Sequence, residues 1–100
     1  MSTVRISHPT KKVKARIPLP GSKSESNRLL ILNALSGNKL NLENLSAARD
    51  TQNLVKILAS DTETVDVMDA GTSMRFLLAY YCASNQHRII TGSERMKKRP

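Results

Sequence analysis

A lysine, two serines and a glycine stand together at Pro20-Gly21-Ser22-Lys23-Ser24, with Arg28 four residues beyond Ser24. In a helix that begins near Ser24, positions 24 and 28 lie on one face. An ammonium, a hydroxyl and a planar guanidinium fork then converge on a single anion. Two further corners carry similar chemistry: Asp69-Ala70-Gly71-Thr72, with Arg75 behind it, and Thr91-Gly92-Ser93-Glu94-Arg95. Glycine at each corner lets backbone approach a ligand closely, and the free N–H groups that open a following helix favour phosphate or carboxylate.

Each residue also has a plainer reading. Gly21 serves as a turn residue, Ser24 as a helix cap and Arg28 as a solvated charge; Arg75 is expected to brace the fold by pairing with a carboxylate. Asp50 and Asp69 sit at expected helix starts, where capping is the common reason for an aspartate. The Gly-Ser-Lys-Ser string is not a P-loop, because that motif demands glycine where this chain has Ile17 and Ser22. His8 and His87 lack partners at metal-ligand spacing, and one cysteine makes no zinc site, so no metal is expected.

The elements that must hold these corners follow from periodicity. Val13 to Leu19 alternates apolar and basic residues and stops at Pro20-Gly21, as a strand would. Leu29, Leu30, Leu32, Ala34 and Leu35 predict a helix from Ser24 to near Gly37, capped by Ser22, which has capping-box spacing to Glu25, or by Ser24. Lys39 to Glu43 alternates as a strand, and a second helix is expected from Asp50 to Ala59. Thr64 to Met68 reads as a strand, Ser73 to Ser84 as a third helix with Thr72 as its N-cap, and Arg88 to Thr91 as a last strand. The alternation places the chain in the α/β or α+β class. After Arg95-Met96-Lys97-Lys98-Arg99-Pro100 no closing element follows, which reads as a truncated unit.

The chain has 100 residues, 39% hydrophobic, with sixteen Lys and Arg against eight Asp and Glu and a formal net charge of +8. That is ordinary usage for one small domain, and the field favours anionic partners. A small nucleic-acid-binding module is the rival, supported by Lys11, Lys12, Lys14 and Arg16. Against it, aromatics are 3% and neither a stacking string nor a helix-turn-helix pattern occurs. Cys82 falls in the apolar run Phe76 to Ala83 and is expected to be buried and unpaired. No apolar run approaches the roughly 20 residues that cross a bilayer, and the N-terminal stretch lacks a secretory h-region, so the expected location is the cytoplasm.

Taken in order, Leu19-Pro20-Gly21-Ser22-Lys23-Ser24 with Asn27-Arg28, then Asp69 to Arg75, then Thr91 to Pro100 resemble three motifs of the enolpyruvylshikimate phosphate synthase family. The resemblance runs from about Val13 to the last residue. The sister family that transfers enolpyruvate to a UDP-aminosugar has a different first motif. The resemblance implies transfer of the enolpyruvyl group of phosphoenolpyruvate to the 5-hydroxyl of shikimate 3-phosphate. It implies that Lys23 touches both substrates, that Ser24 and Arg28 hold shikimate 3-phosphate, and that Gly71 and Arg95 hold phosphoenolpyruvate, with Lys23 and Arg95 as the catalytic pair. No cofactor, metal, nucleic acid or membrane is expected, and the full-length protein is expected to be monomeric. The implied fold is built from βαβαββ units. Residues 1–19 would carry a strand belonging with a C-terminal half outside this chain, and residues 20–100 about one unit of the N-terminal domain, hinged near Pro20-Gly21. Two positions depart from the pattern. Asp69 stands where many members carry asparagine, so direct contact with an anion is not expected of it; Phe76 stands where some have proline, which bears on how the third helix packs.

Overall fold

The first helix, α1, runs from Lys23 to Leu35, and its start is set by Ser22, whose Oγ accepts the Glu25 N–H at 3.3 Å. It ends at Ser36, after which Gly37 and Asn38 both take positive φ and the Asn38 N–H donates back to the Asn33 carbonyl at 2.8 Å. These coordinates belong to a computed structural model, which describes residues 2–100. Helix α2 follows at Arg49–Leu58, then strand β1 at Thr64–Asp66, helix α3 at Gly71–Ala83, strand β2 at Ile89–Thr91 and a single-turn helix α4 at Glu94–Lys97.

The two strands pair in parallel, with Thr64 opposite Ile89, Val65 opposite Ile90 and Asp66 opposite Thr91. Parallel neighbours need a crossover, and α3 supplies it. Helix α1 packs against both α2 and α3. Leu30, Leu54, Ile57, Val65, Val67, Leu77, Tyr81 and Met96 form the core between helices and sheet. The fold is thus mixed α/β around one βαβ crossover.

A polar pair lies inside this packing. The Thr51 hydroxyl donates to Asn27 Oδ1 at 2.8 Å, joining α1 to α2, and both side chains are buried. Nearby, Ser26 Oγ accepts the Ser46 N–H at 2.9 Å and so ties α1 to the loop before α2. Asn27→Ala would strand the buried Thr51 hydroxyl, and a buried group left without its partner costs about 1–3 kcal/mol. We expect urea unfolding to read a loss in that range, and a shift below about 0.5 kcal/mol would show that the pair does not bind the helices together.

Several expected elements differ. Val13 to Leu19 forms no strand: residues 11–20 are exposed and without regular structure, since an alternating segment becomes a strand only when a neighbour takes its backbone groups. The radius of gyration is 17.9 Å, against about 13 Å for a compact body of this length, as a segment extending from the body requires. Lys39 to Glu43 also forms no strand. The Leu40 N–H is taken by Asn33 Oδ1 at 2.9 Å, and Asn44 turns the chain with positive φ. Helix α3 begins two residues before Ser73, with Ala70 rather than Thr72 at its N-cap and no side-chain cap. Cys82 is exposed rather than buried, because α3 turns Leu77 and Tyr81 inward and position 82 outward. In α1 only Leu30 of the leucines is buried, while Leu29, Leu32 and Leu35 face out.

Candidate functional site

The corners at positions 69 and 93 meet. The parallel pair extends past β1 through Val67 N–H to the Thr91 carbonyl at 2.9 Å, and Ser93 N–H then donates to the Met68 carbonyl at 3.0 Å. The Ser93 hydroxyl closes the junction on Asp69 Oδ1. The same Ser93 Oγ caps α4 by accepting the Met96 N–H at 3.2 Å. Gly92 is needed here for space: a Cβ on it would stand 2.7 Å from the Met68 carbonyl oxygen and 2.8 Å from Met96 Cγ. Asp69 therefore acts as a strut between the two corners.

Two small clefts open on either side of Asp69. One, of about 130 Å³, is lined by Asp69, Arg95, Met96 and Arg99. The other, of about 160 Å³, is lined by Arg49, Asp50, Asn53, Val67, Met68 and Asp69. The Asn53 amide donates to the Asp66 carbonyl at 2.9 Å, which fixes the wall of this second cleft against β1.

The first corner joins through Lys23. Its Nζ lies 3.4 Å from Asp50 Oδ2, so the ammonium at the start of α1 reaches the start of α2 and the edge of the second cleft. Ser24 is exposed on the first turn of α1. Arg28 points elsewhere: it lines an apolar hollow with Ile31, Leu32 and Phe76. Lys23, Ser24 and Arg28 thus share a helix but not one cleft, and the expected convergence of all three on a single anion is not present in this arrangement. Phe76 bears on packing, since it forms part of that hollow between α1 and α3.

Gly71 opens α3, and the Arg99 guanidinium occupies the place a Cβ would take there, with an Arg75 guanidinium nitrogen 3.8 Å from the same point. Among the described residues none of Arg75, Arg95 and Arg99 has a carboxylate partner, which corrects the expectation that Arg75 is paired. Lys97 is engaged, 3.3 Å from Glu94. Asp50 does not cap α2: it lies in the first turn, and Ala48 stands at the cap without a side-chain bond. In the core, burial pushes the Tyr81 phenol up, while the charge of Arg88, whose guanidinium lies over the ring at 5.7 Å from its centroid, pulls the other way.

Sequence reasoning passed over Arg49 and Asn53 and treated Arg99 only as part of a basic run. A signal for Arg49 existed, because a cation in the first turn of a helix sits at the wrong end of the dipole unless an anion is near. Helix α4 escaped notice because one turn is too short to show a period.

The corners of this α/β unit thus bring Arg95 and Arg99 to one small cleft and Arg49 to another, with Asp69 lining both. The family model for EPSP synthase (3-phosphoshikimate 1-carboxyvinyltransferase) matches residues 7–60. The chain is 50% identical over 88 residues to a 3-phosphoshikimate 1-carboxyvinyltransferase of Bacteroides fragilis strain YCH46, covering 88% of this chain and 22% of the relative. A protein of the same name from Pectobacterium atrosepticum is 34% identical over 119 residues, covering 93% of this chain and 28% of its own length. No solved structure matches the chain. This chain belongs to the EPSP synthase family, and it spans about a quarter of the length of the curated relatives it matches.

Proposed function

We propose that the protein to which this chain belongs transfers the enolpyruvyl group of phosphoenolpyruvate to the 5-hydroxyl of shikimate 3-phosphate and releases phosphate, a step of the shikimate pathway to aromatic amino acids. The names of the relatives support this reading. The observation that carries it is the junction of two corners 24 residues apart, at Asp69 and Ser93, beside a cleft walled by Arg95 and Arg99. Such a cleft suits a multiply charged metabolite better than a polymer, because it is narrow and its cations are gathered rather than spread.

In this reading residues 20–100 are the first βαβαββ unit of an N-terminal domain and residues 1–19 pair with a distant C-terminal half; the unpartnered state of residues 11–20 agrees with that. The full-length enzyme works as a monomer in the cytoplasm. Among the described residues no helix is long and apolar enough to cross a membrane. In this reading Ser24 and Arg28 hold shikimate 3-phosphate, which requires the Arg28 side chain to leave the hollow it lines with Phe76, Gly71 and Arg95 hold phosphoenolpyruvate, and Lys23 reaches both.

The chemistry asks little of this segment beyond charge. The 5-hydroxyl gives up its proton as its oxygen adds to C2 of phosphoenolpyruvate and C3 takes a proton, giving a tetrahedral intermediate; C3 then loses a proton as the C2–O bond to phosphate breaks and the C2–C3 double bond re-forms. Charge grows on the departing phosphate, and fixed cations aimed at it lower the barrier without reorganising. Lys23 and Arg95 fill that role. For Lys23 this requires the ammonium to leave Asp50, an exposed pair worth no more than about 1 kcal/mol.

Phosphate release by the longer protein should require both substrates together, and release with either one alone, or with neither, would end the reading. The 100-residue chain by itself is expected to show no turnover. Measurable product from it would mean that these clefts suffice for the reaction.

A further inference from the structure

We propose that Arg99 is a further contact for the phosphate of the donor substrate, gripping it together with Arg95 in the cleft beside Asp69. The proposal rests on the reading of the chain as part of an enolpyruvyl transferase. It assigns a residue that the three motifs leave within a basic run.

The first reason is geometric. Arg95 and Arg99 are four residues apart, one on α4 and one just past its end, where the Arg99 N–H still donates to the Met96 carbonyl at 3.2 Å. The turn therefore continues, and both side chains reach the same cleft of about 130 Å³. Like charges at this spacing destabilise a helix, and no carboxylate among the described residues lies within ion-pairing distance of either, although Asp69 shares their cleft.

Electrostatics adds the second reason. Arg99 lies against Gly71, the first residue of α3, and Arg75 approaches the same point, although the first turn of α3 contains no acidic residue. The start of a helix carries partial positive charge, so two guanidinium groups there are of the wrong sign. Asp69 is the one carboxylate lining the cleft; it accepts the Ser93 hydroxyl and stands against two guanidinium groups, those of Arg95 and Arg99. The group that would balance this cluster is an external anion with several oxygens, and two guanidinium forks suit a phosphate dianion better than a single carboxylate.

The third reason concerns space. No positive φ requires glycine at position 71; the group that takes up the place of a Cβ there is the Arg99 guanidinium, which a methyl would displace. Gly71 thus serves Arg99, and through Arg99 the ligand.

The test uses the full-length enzyme with Arg99→Ala, Arg99→Gln and Arg99→Lys, titrated by calorimetry with phosphoenolpyruvate, inorganic phosphate and shikimate 3-phosphate separately, alongside steady-state kinetics. Arg99→Ala and Arg99→Gln should weaken phosphoenolpyruvate and inorganic phosphate about tenfold or more, with shikimate 3-phosphate changed less than about twofold. Arg99→Lys should recover part of the loss, since a point charge replaces a fork. Unchanged binding of phosphoenolpyruvate and phosphate overturns the proposal, as does an equal loss for all three ligands with a lowered Tm, the mark of a structural role. If the enzyme proves to transfer no enolpyruvyl group yet binds inorganic phosphate in an Arg99-dependent way, the reading of its function falls and the role of Arg99 stands. Should Arg99→Ala fail to fold, the Gln and Lys variants, which keep part or all of the aliphatic stem, decide between the same outcomes.

Discussion

Lys23→Ala in the full-length enzyme is expected to lower kcat/KM by about a hundred- to a thousandfold, the range seen when one preorganised charge-stabilising group is removed. The same change should cost less than about 1 kcal/mol of stability. Lys23 is more than half exposed, its side chain lies at the rim of the fold, and its partner Asp50 is exposed enough for water to screen the pair. The separation between those two numbers is the point of the experiment. Arg95→Ala should behave alike, since Arg95 is exposed and without a carboxylate partner among the described residues. A variant of either residue that kept near wild-type kcat/KM would remove it from the catalytic pair.

Gly71→Ala is expected to raise KM for phosphoenolpyruvate about tenfold while leaving that for shikimate 3-phosphate within about twofold. The added methyl meets the end of a flexible, exposed arginine rather than backbone, so Arg99 swings aside and stability falls by less than about 1 kcal/mol. The informative measurement is the double variant. If Gly71 keeps room for Arg99, the methyl should matter little once Arg99 is already alanine, and the two effects on phosphoenolpyruvate will not add. Additive effects would mean that the glycine keeps room for the ligand directly.

Helices were the legible part of this chain. The Ser22 to Glu25 spacing, the leucines of the first helix and the glycine at position 37 each report a local rule, and α1 obeys all of them. The parallel strands at 64–66 and 89–91 were also legible, because Val65, Ile89 and Ile90 are β-branched and bounded by turns. What failed depends on partners. Val13 to Leu19 and Lys39 to Glu43 have the alternation of strands, yet no neighbouring ladder receives them. The apolar pattern of α1 announced a helix without saying which face would be covered, and Leu29, Leu32 and Leu35 ended outside. In the clefts, residue types predicted cations and glycines at the corners, while the meeting of Asp69 with Ser93 is a long-range contact that no spacing encodes. Arg28 illustrates the converse: an i, i+4 relation to Ser24 put both on one helix face, but Arg28 lines the apolar hollow with Ile31, Leu32 and Phe76.

The outward-facing thiol of Cys82 has a practical consequence. It is the chain's single cysteine, and it lies near the far end of α3, eleven residues from Gly71. At the helical rise that separates the two by about 16 Å. A nitroxide or fluorophore attached there would sit away from both clefts yet close enough to sense them, so occupancy beside Gly71 could be followed by relaxation or emission without introducing any new attachment point.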